Sequence, residues 1–199
     1  MYFQRTRDML VQQATDLFYE NGYAKTPIRK ITENLDVENT IIYYYFKNKD
    51  ELLFRIIESI LDHTINELKN IIRCFPDPFE RVQQMIFFQI NLLADRKKEI
   101  KIFLEDTDKL SLEMKNNIRY RERYIYDLYA DQFDLLIKEN KIKPIENPVI
   151  IFTLFGTINW IYRWFRNDGT LPLEVVAMRT IEITFAGLMQ EQQKLEIED

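Results

Sequence analysis

Between residues 26 and 53 the chain carries a run of side chains suited to reading another polymer. Asn39 and Thr40 offer an amide and a hydroxyl, and Ile41 a methyl surface. Tyr43, Tyr44 and Tyr45 offer phenols, and Lys47 and Lys49 follow as cations. Amides, hydroxyls and methyl groups read base edges in a major groove, while lysines and phenols hold backbone phosphates. Other chemistry has little material here. His63 is the only histidine and Cys74 the only cysteine. A carboxylate-bridged metal site needs Glu-x-x-His, but residue 60 is isoleucine. No phosphate-binding glycine loop or nucleophile elbow occurs, and Glu105 and Asp106 read as solvated carboxylates. No enzyme, cofactor or metal is expected.

These groups need short helices to present them. Thr26-Pro27 reads as the N-cap and first position of a second helix, after a first helix that Asn21-Gly22 closes. Ile28, Ile31 and Leu35 give that second helix an apolar face. Asp36-Val37-Glu38 makes a tight turn, and a third helix covers roughly Asn39 to Phe46. Two short helices across such a turn predict a helix-turn-helix. Asn48-Lys-Asp-Glu51 has capping-box spacing and opens a long fourth helix that ends near Cys74. This helix is expected to be the only covalent lever between the reading segment and the rest.

Beyond it, Asp77-Pro78 caps a fifth helix and a sixth spans about Glu99 to Asp106. Ser111 opens a seventh, reaching about Asn140. Asn147-Pro148 caps an eighth, ending near Arg166, and a ninth runs from about Leu171 to Gln192. The chain is thus predicted to be all-α, with about nine helices. Helices eight and nine are apolar on most sides, and a helix apolar all round is buried all round. Phe152, Ile158, Trp164, Met178, Ile181 and Phe185 are therefore expected in a four-helix interface between two copies.

Composition agrees. The 199 residues hold four glycines and six prolines, too few for an all-β sandwich or a Rossmann enzyme. No run of about 18 apolar residues is present and the N-terminus lacks an apolar signal core, so a cytoplasmic protein without membrane partners is expected. The net charge of −5 argues against nucleic acid if taken alone. Even residues 1–53 carry seven Lys/Arg against eight Asp/Glu, so the placement of each charge matters more than the sum.

The pattern Thr26-x-Ile28-x-x-Ile31, Val37, Tyr43-Tyr44-Tyr45-Phe46-x-x-Lys49-x-x-Leu52, with Asn21-Gly22-Tyr23 before it, resembles the DNA-binding domain of tetracycline-repressor-like (TetR family) regulators. Asp36, Glu38 and Thr40 depart from that family's usual turn, and a carboxylate at Glu38 repels phosphate. The resemblance implies an all-helical homodimer with a three-helix DNA-binding domain at 1–48 and a ligand-binding and dimerisation domain at 49–199. It implies DNA contacts from Thr26, Asn39, Thr40, Ile41, Tyr43, Tyr44, Tyr45 and Lys49. Tyr43 also reads as a packed aromatic.

Phe103 to Met114, Arg119 to Tyr124 and Phe155 to Trp164 are similar to family members governing fatty-acid and steroid catabolism. That implies a small apolar effector, such as an acyl-CoA, held by Phe88, Phe103, Tyr120, Arg123, Tyr124, Phe152, Phe155 and Trp160. Arg119, Arg121 and Arg123 read either as an anion clamp or as a solvated face paired with Glu122 and Asp127. The implied function is a repressor released from a pseudo-palindromic operator by its ligand. The alternative is a helical small-molecule-binding dimer with little DNA affinity.

Overall fold

The computed structural model describes residues 2–33, 35, 37–166 and 168–189. Asp36, Asn167 and Gln192 lie outside the described residues. The described residues form nine α-helices and no strand. They are α1 (Tyr2–Asn21), α2 (Ile28–Glu33), α3 (Ile41–Tyr45), α4 (Lys49–Cys74), α5 (Pro78–Asp95), α6 (Lys97–Asp106), α7 (Leu112–Lys138), α8 (Asn147–Trp164) and α9 (Leu173–Leu188). A 3-10 turn at Thr107–Lys109 joins α6 towards α7.

Several helix ends follow from single side chains. Gly22 takes φ +82 and donates its N–H to the Phe18 carbonyl at 2.9 Å, so α1 stops in the left-handed geometry glycine accepts most easily. Asn48 Oδ1 accepts the Glu51 N–H at 2.8 Å, and Glu51 returns a carboxylate to the Lys47 N–H at 2.8 Å. The capping box therefore reaches one residue further back than its usual form. Asp77 caps α5 through the Glu80 N–H at 3.1 Å, and Ser111 caps α7 through the Met114 N–H at 3.3 Å.

Two expected caps fail. Thr26 does not cap α2, because its hydroxyl turns back to the Leu17 carbonyl at 3.2 Å and the Gly22 carbonyl at 3.0 Å. It fastens the α1–α2 turn to the end of α1. Asn147 lies inside α8 and donates to Asp134 at 2.7 Å, leaving Glu146 at the cap position.

The chain forms two compact units: residues 1–63 with 96–121, and residues 64–95 with 122–199. It passes between them inside α4, at Asp95–Arg96 and inside α7, so α4 is not the sole covalent link that the sequence led us to expect. In the first unit, Leu10, Ala14, Phe18, Ile31, Ile42, Phe46, Leu52 and Leu53 make a buried core. Each of the leucine, isoleucine and phenylalanine side chains contributes about 1.5–3 kcal/mol by leaving water. Ile31 and Ile42 have no exposed surface, and they bind the two short helices to that core. Helix α6 is fixed to α1 by Lys98–Asp16 at 2.5 Å and by Lys101 Nζ donating to the Tyr19 carbonyl at 3.2 Å. In the second unit, Val82, Met85, Ile86, Tyr129, Phe133, Leu136, Ile151 and Phe185 are buried.

Candidate nucleic-acid interface

Helix α3 divides its side chains cleanly. Ile42, and Phe46 just after the helix, point inward; Tyr43 and Tyr44 are 60% and 71% exposed. Asn39 and Thr40 stand exposed just before the helix, with Ile41 half-buried. Tyr43 is therefore a surface phenol, and the packed reading of it does not hold. Tyr45 stands edge-on to Tyr44 at 5.0 Å, and its hydroxyl is enclosed without a partner. The structure thus gathers Asn39, Thr40, Tyr43 and Tyr44 on one exposed surface and turns Tyr45 partly under it.

Two expected contacts are placed differently. Thr26 is fully buried, with its hydroxyl committed to backbone carbonyls. Lys49 Nζ lies 4.1 Å from the centre of the Tyr23 ring and 5.9 Å from that of Phe18. Burial lowers the Lys49 pKa, while Asp50 and Asp106 pull it back up. The Tyr23 hydroxyl donates to Asp50, and burial with that bond raises its pKa. Lys49 is therefore a tethered cation, held by ring faces, that must swing out to meet a phosphate. Asp106 is buried and paired with Lys109, so the reading of it as a solvated carboxylate is corrected. Lys25 and Arg29 are exposed cations that sequence reasoning left out of the set. For Arg29 the signal was the basic pair Arg29-Lys30 on a helix of six residues.

Beside the reading face, the Thr32 hydroxyl is buried and is shared between two acceptors, the Arg29 carbonyl at 2.9 Å and the Asn39 amide oxygen Oδ1. Glu38 is exposed, and the Thr40 hydroxyl donates to its carboxylate at 3.3 Å. The exposed face therefore offers amide, hydroxyl and phenol groups around one carboxylate, a set able to read base edges and touch phosphates.

The expected effector residues are divided. Phe103 and Tyr120 belong to the first unit; Phe88, Arg123, Tyr124, Phe152, Phe155 and Trp160 belong to the second. Phe152 and Trp160 are 65% and 62% exposed. Phe155 instead meets the buried Tyr129 edge-on at 5.3 Å. Tyr129 donates its hydroxyl to Gln89 Oε1 at 2.5 Å, and burial raises its pKa well above the usual phenol range. Lys69 sits over Tyr124 at 4.7 Å. A cleft of about 370 Å³ in the second unit is lined by Gln83, Gln84, Phe87, Met178, Ile181 and Glu182, none of them an expected effector residue.

Arg121 is bound to Glu58 and Asp62, both at 2.7 Å, and Arg123 to Asp127 at 2.9 Å. Of the solvated-face reading, the Arg123–Asp127 pair is present; Arg121 turns instead to Glu58 and Asp62, partners the sequence did not reveal, and Arg119 donates to Asn116 Oδ1 at 3.2 Å. Of the expected dimer residues, Ile158 and Phe185 are buried within the protomer, with Phe185 against Phe79 at 4.3 Å. Phe152, Trp164 and Met178 are exposed.

Comparison with known proteins decides the family. Residues 10–56 match the bacterial regulatory proteins of the tetR family, and residues 76–188 match the tetracyclin repressor-like C-terminal domain. The chain belongs to the TetR family. It is a ligand-responsive, DNA-binding transcriptional regulator. It is 20% identical over 188 residues to the HTH-type transcriptional repressor KstR2 of Mycolicibacterium smegmatis, covering 94% of this chain and 92% of that protein. It is 24% identical over 186 residues to the fatty acid metabolism regulator protein of Bacillus subtilis, covering 90% and 93%. Among solved structures it resembles AibR in complex with isovaleryl coenzyme A and operator DNA. That likeness has a TM-score of 0.82 and 26% identity, over 90% of this chain and 97% of that one. No described helix of this TetR-family chain is long and apolar enough to cross a membrane.

Proposed function

We propose that this regulator is a cytoplasmic, non-enzymatic repressor that leaves a pseudo-palindromic operator when it binds an acyl-CoA or a similar apolar acid derivative. The observation that carries the DNA half is the exposed set Asn39, Thr40, Tyr43 and Tyr44, on and just before a helix pinned by buried Ile42. In this reading residues 1–48 are the DNA-binding domain and residues 49–199 bind ligand and dimerise. Asn39, Thr40 and Ile41 face bases. Tyr43, Tyr44 and Lys49 serve phosphates, Lys49 after leaving the Tyr23 ring. Thr26 and Tyr45 support that surface from beneath.

The ligand half rests on the isovaleryl coenzyme A complex of AibR and on the aromatic packing around Phe155 and Tyr129. Phe88, Tyr124 and Phe155 are the second-unit members of the effector set that are not exposed, and we place the apolar part of the ligand among them. Phe152, Trp164 and Met178 lie on the proposed dimer face. A ligand that favours one spacing of the two reading heads over another needs nothing beyond that difference in affinity to release DNA.

A second reading, a helical ligand-binding dimer with little DNA affinity, draws on exposed Glu38 and tethered Lys49. Footprinting on the DNA flanking its own gene, with and without medium- and long-chain acyl-CoAs, separates the two. We expect a protected pseudo-palindrome that the acyl-CoA clears. Protection that no acyl-CoA disturbs removes the ligand claim, and absent protection favours the second reading.

A further inference from the structure

We infer that Arg121 is a positioning residue for DNA reading: by engaging Glu58 it leaves Arg55 to steady Glu51, whose carboxylate holds the link between α3 and α4. This rests on the DNA-reading function proposed above. The groups form an unbroken chain inside the first unit. Arg121 donates from one terminal nitrogen to Glu58 Oε1 and from Nε to Asp62 Oδ1, both at 2.7 Å, while its other terminal nitrogen turns back to Asn117. The second oxygen of Glu58 accepts from Arg55 at 2.7 Å. The other arm of Arg55 reaches Glu51 Oε1 at 3.4 Å. Glu51 Oε2 accepts the N–H of Lys47, just past the end of α3, at 2.8 Å.

Residues three and four apart share one face of a helix, so Glu51 and Glu58 flank Arg55 and compete for it. The Glu58 contact is the shorter, and Glu58 is the larger influence raising the Arg55 pKa. Glu58 would take Arg55 outright were its charge not already shared with Arg121. The Glu58 and Arg121 side chains are 17% and 18% exposed, so salt screens their attraction less than that of a surface pair. With Arg121 in place, Arg55 spans both acids and Glu51 is held at both oxygens. A carboxylate held at both oxygens keeps its rotamer, and the Lys47 N–H keeps its acceptor. Helix α3 has five residues, too few to stand without such outside bonds. Helix α7 runs on past Arg121 into the second unit, so this arginine stands where the two units are covalently joined.

The test reads, by NMR on the full-length protein, how fast the Lys47 N–H exchanges with water. The Phe46 N–H, bonded to the Ile42 carbonyl at 2.9 Å, is the local reference. Affinity for the footprinted operator is measured alongside. The proteins are wild type, Arg121→Ala, Arg121→Ala with Glu58→Ala, and Lys115→Ala. Lys115 is a cation on the same helix whose bond goes to the Asp108 carbonyl, outside the chain of pairs. We expect Arg121→Ala to speed Lys47 exchange severalfold while Phe46 stays unchanged, and to weaken operator binding about two- to thirtyfold. Adding Glu58→Ala frees Arg55 for Glu51 and should return both readouts towards wild type, whereas two independent losses would add. Lys115→Ala should change neither. Unaltered Lys47 exchange in Arg121→Ala, equal acceleration of Phe46, a double variant worse than the single, or equal weakening by Lys115→Ala each overturns the positioning role. A wild type that binds operator no better than scrambled DNA removes the reading function, and this role with it; the exchange rates, measured without DNA, keep the two failures apart.

Discussion

At the scale of single residues, position outweighs charge count. The first 53 residues carry no excess of positive charge, yet three of the eight acids among them are tied up in the fold. Glu51 closes the cap of α4 and pairs with Arg55, Asp50 accepts from Tyr23, and Asp16 holds Lys98. Glu38 stays exposed beside the reading face. Glu38→Gln is therefore expected to tighten operator binding and to steepen its dependence on salt, because it removes a charge that repels phosphate. Fluorescence anisotropy over a series of salt concentrations reads both. Tyr44→Ala and Lys49→Ala are each expected to weaken binding by about 1–3 kcal/mol, with Lys49→Ala reducing the salt slope by about one. Unchanged affinity in both variants would mean the reading face is wrongly assigned.

At the scale of helices, the periodic signals were legible and the ends less so. Asp77 and Ser111 cap as the sequence suggested; Asp77 has a second carboxylate oxygen free for Lys141, so the tertiary pair does not compete with its cap. Thr26 and Asn147 did not, because tertiary partners, the α1 carbonyls and Asp134, compete for the same groups. No local pattern announces such partners. The same limit hid Asp106, whose burial depends on how α6 packs against α1, and the Glu58 and Asp62 partners of Arg121. Asp77 also pairs with Lys141, and that bond is the main reason its pKa is lowered. A depressed carboxylate pKa adds stability above the unfolded pKa and loses it as pH falls through the folded one. Asp77→Ala should thus destabilise by about 1 kcal/mol near neutrality, mostly as a lost cap, and the difference should shrink below about pH 4. Urea melts at the two pH values check it.

At the scale of the whole molecule, the dimer proposal rests on helices α8 and α9. Their apolar circumference was visible in the sequence, but which stripe serves the protomer was not. Ile158 and Phe185 turn out to be core, while Phe152 and Trp160 stay exposed on α8 with Gly156 between them at four-residue spacing. A methyl group added at Gly156 meets nothing within 4 Å. A glycine inside a helix costs about 1 kcal/mol relative to alanine, and the protomer gives it no compensating contact. A close approach by a second copy would account for it. Gly156→Arg should therefore give a monomer by light scattering, with little loss of protomer stability, and weaken operator binding with it. A Gly156→Arg dimer of unchanged affinity would place the interface elsewhere.

The central claim is sequence-specific DNA binding, and its most direct test is the ratio of two affinities at physiological salt. One duplex carries the footprinted site, and the other has the same base composition in scrambled order. We expect the site to bind at least about a thousandfold tighter, as specific regulators do. Equal affinities would contradict the account, since the exposed face of α3 would then touch DNA without reading it.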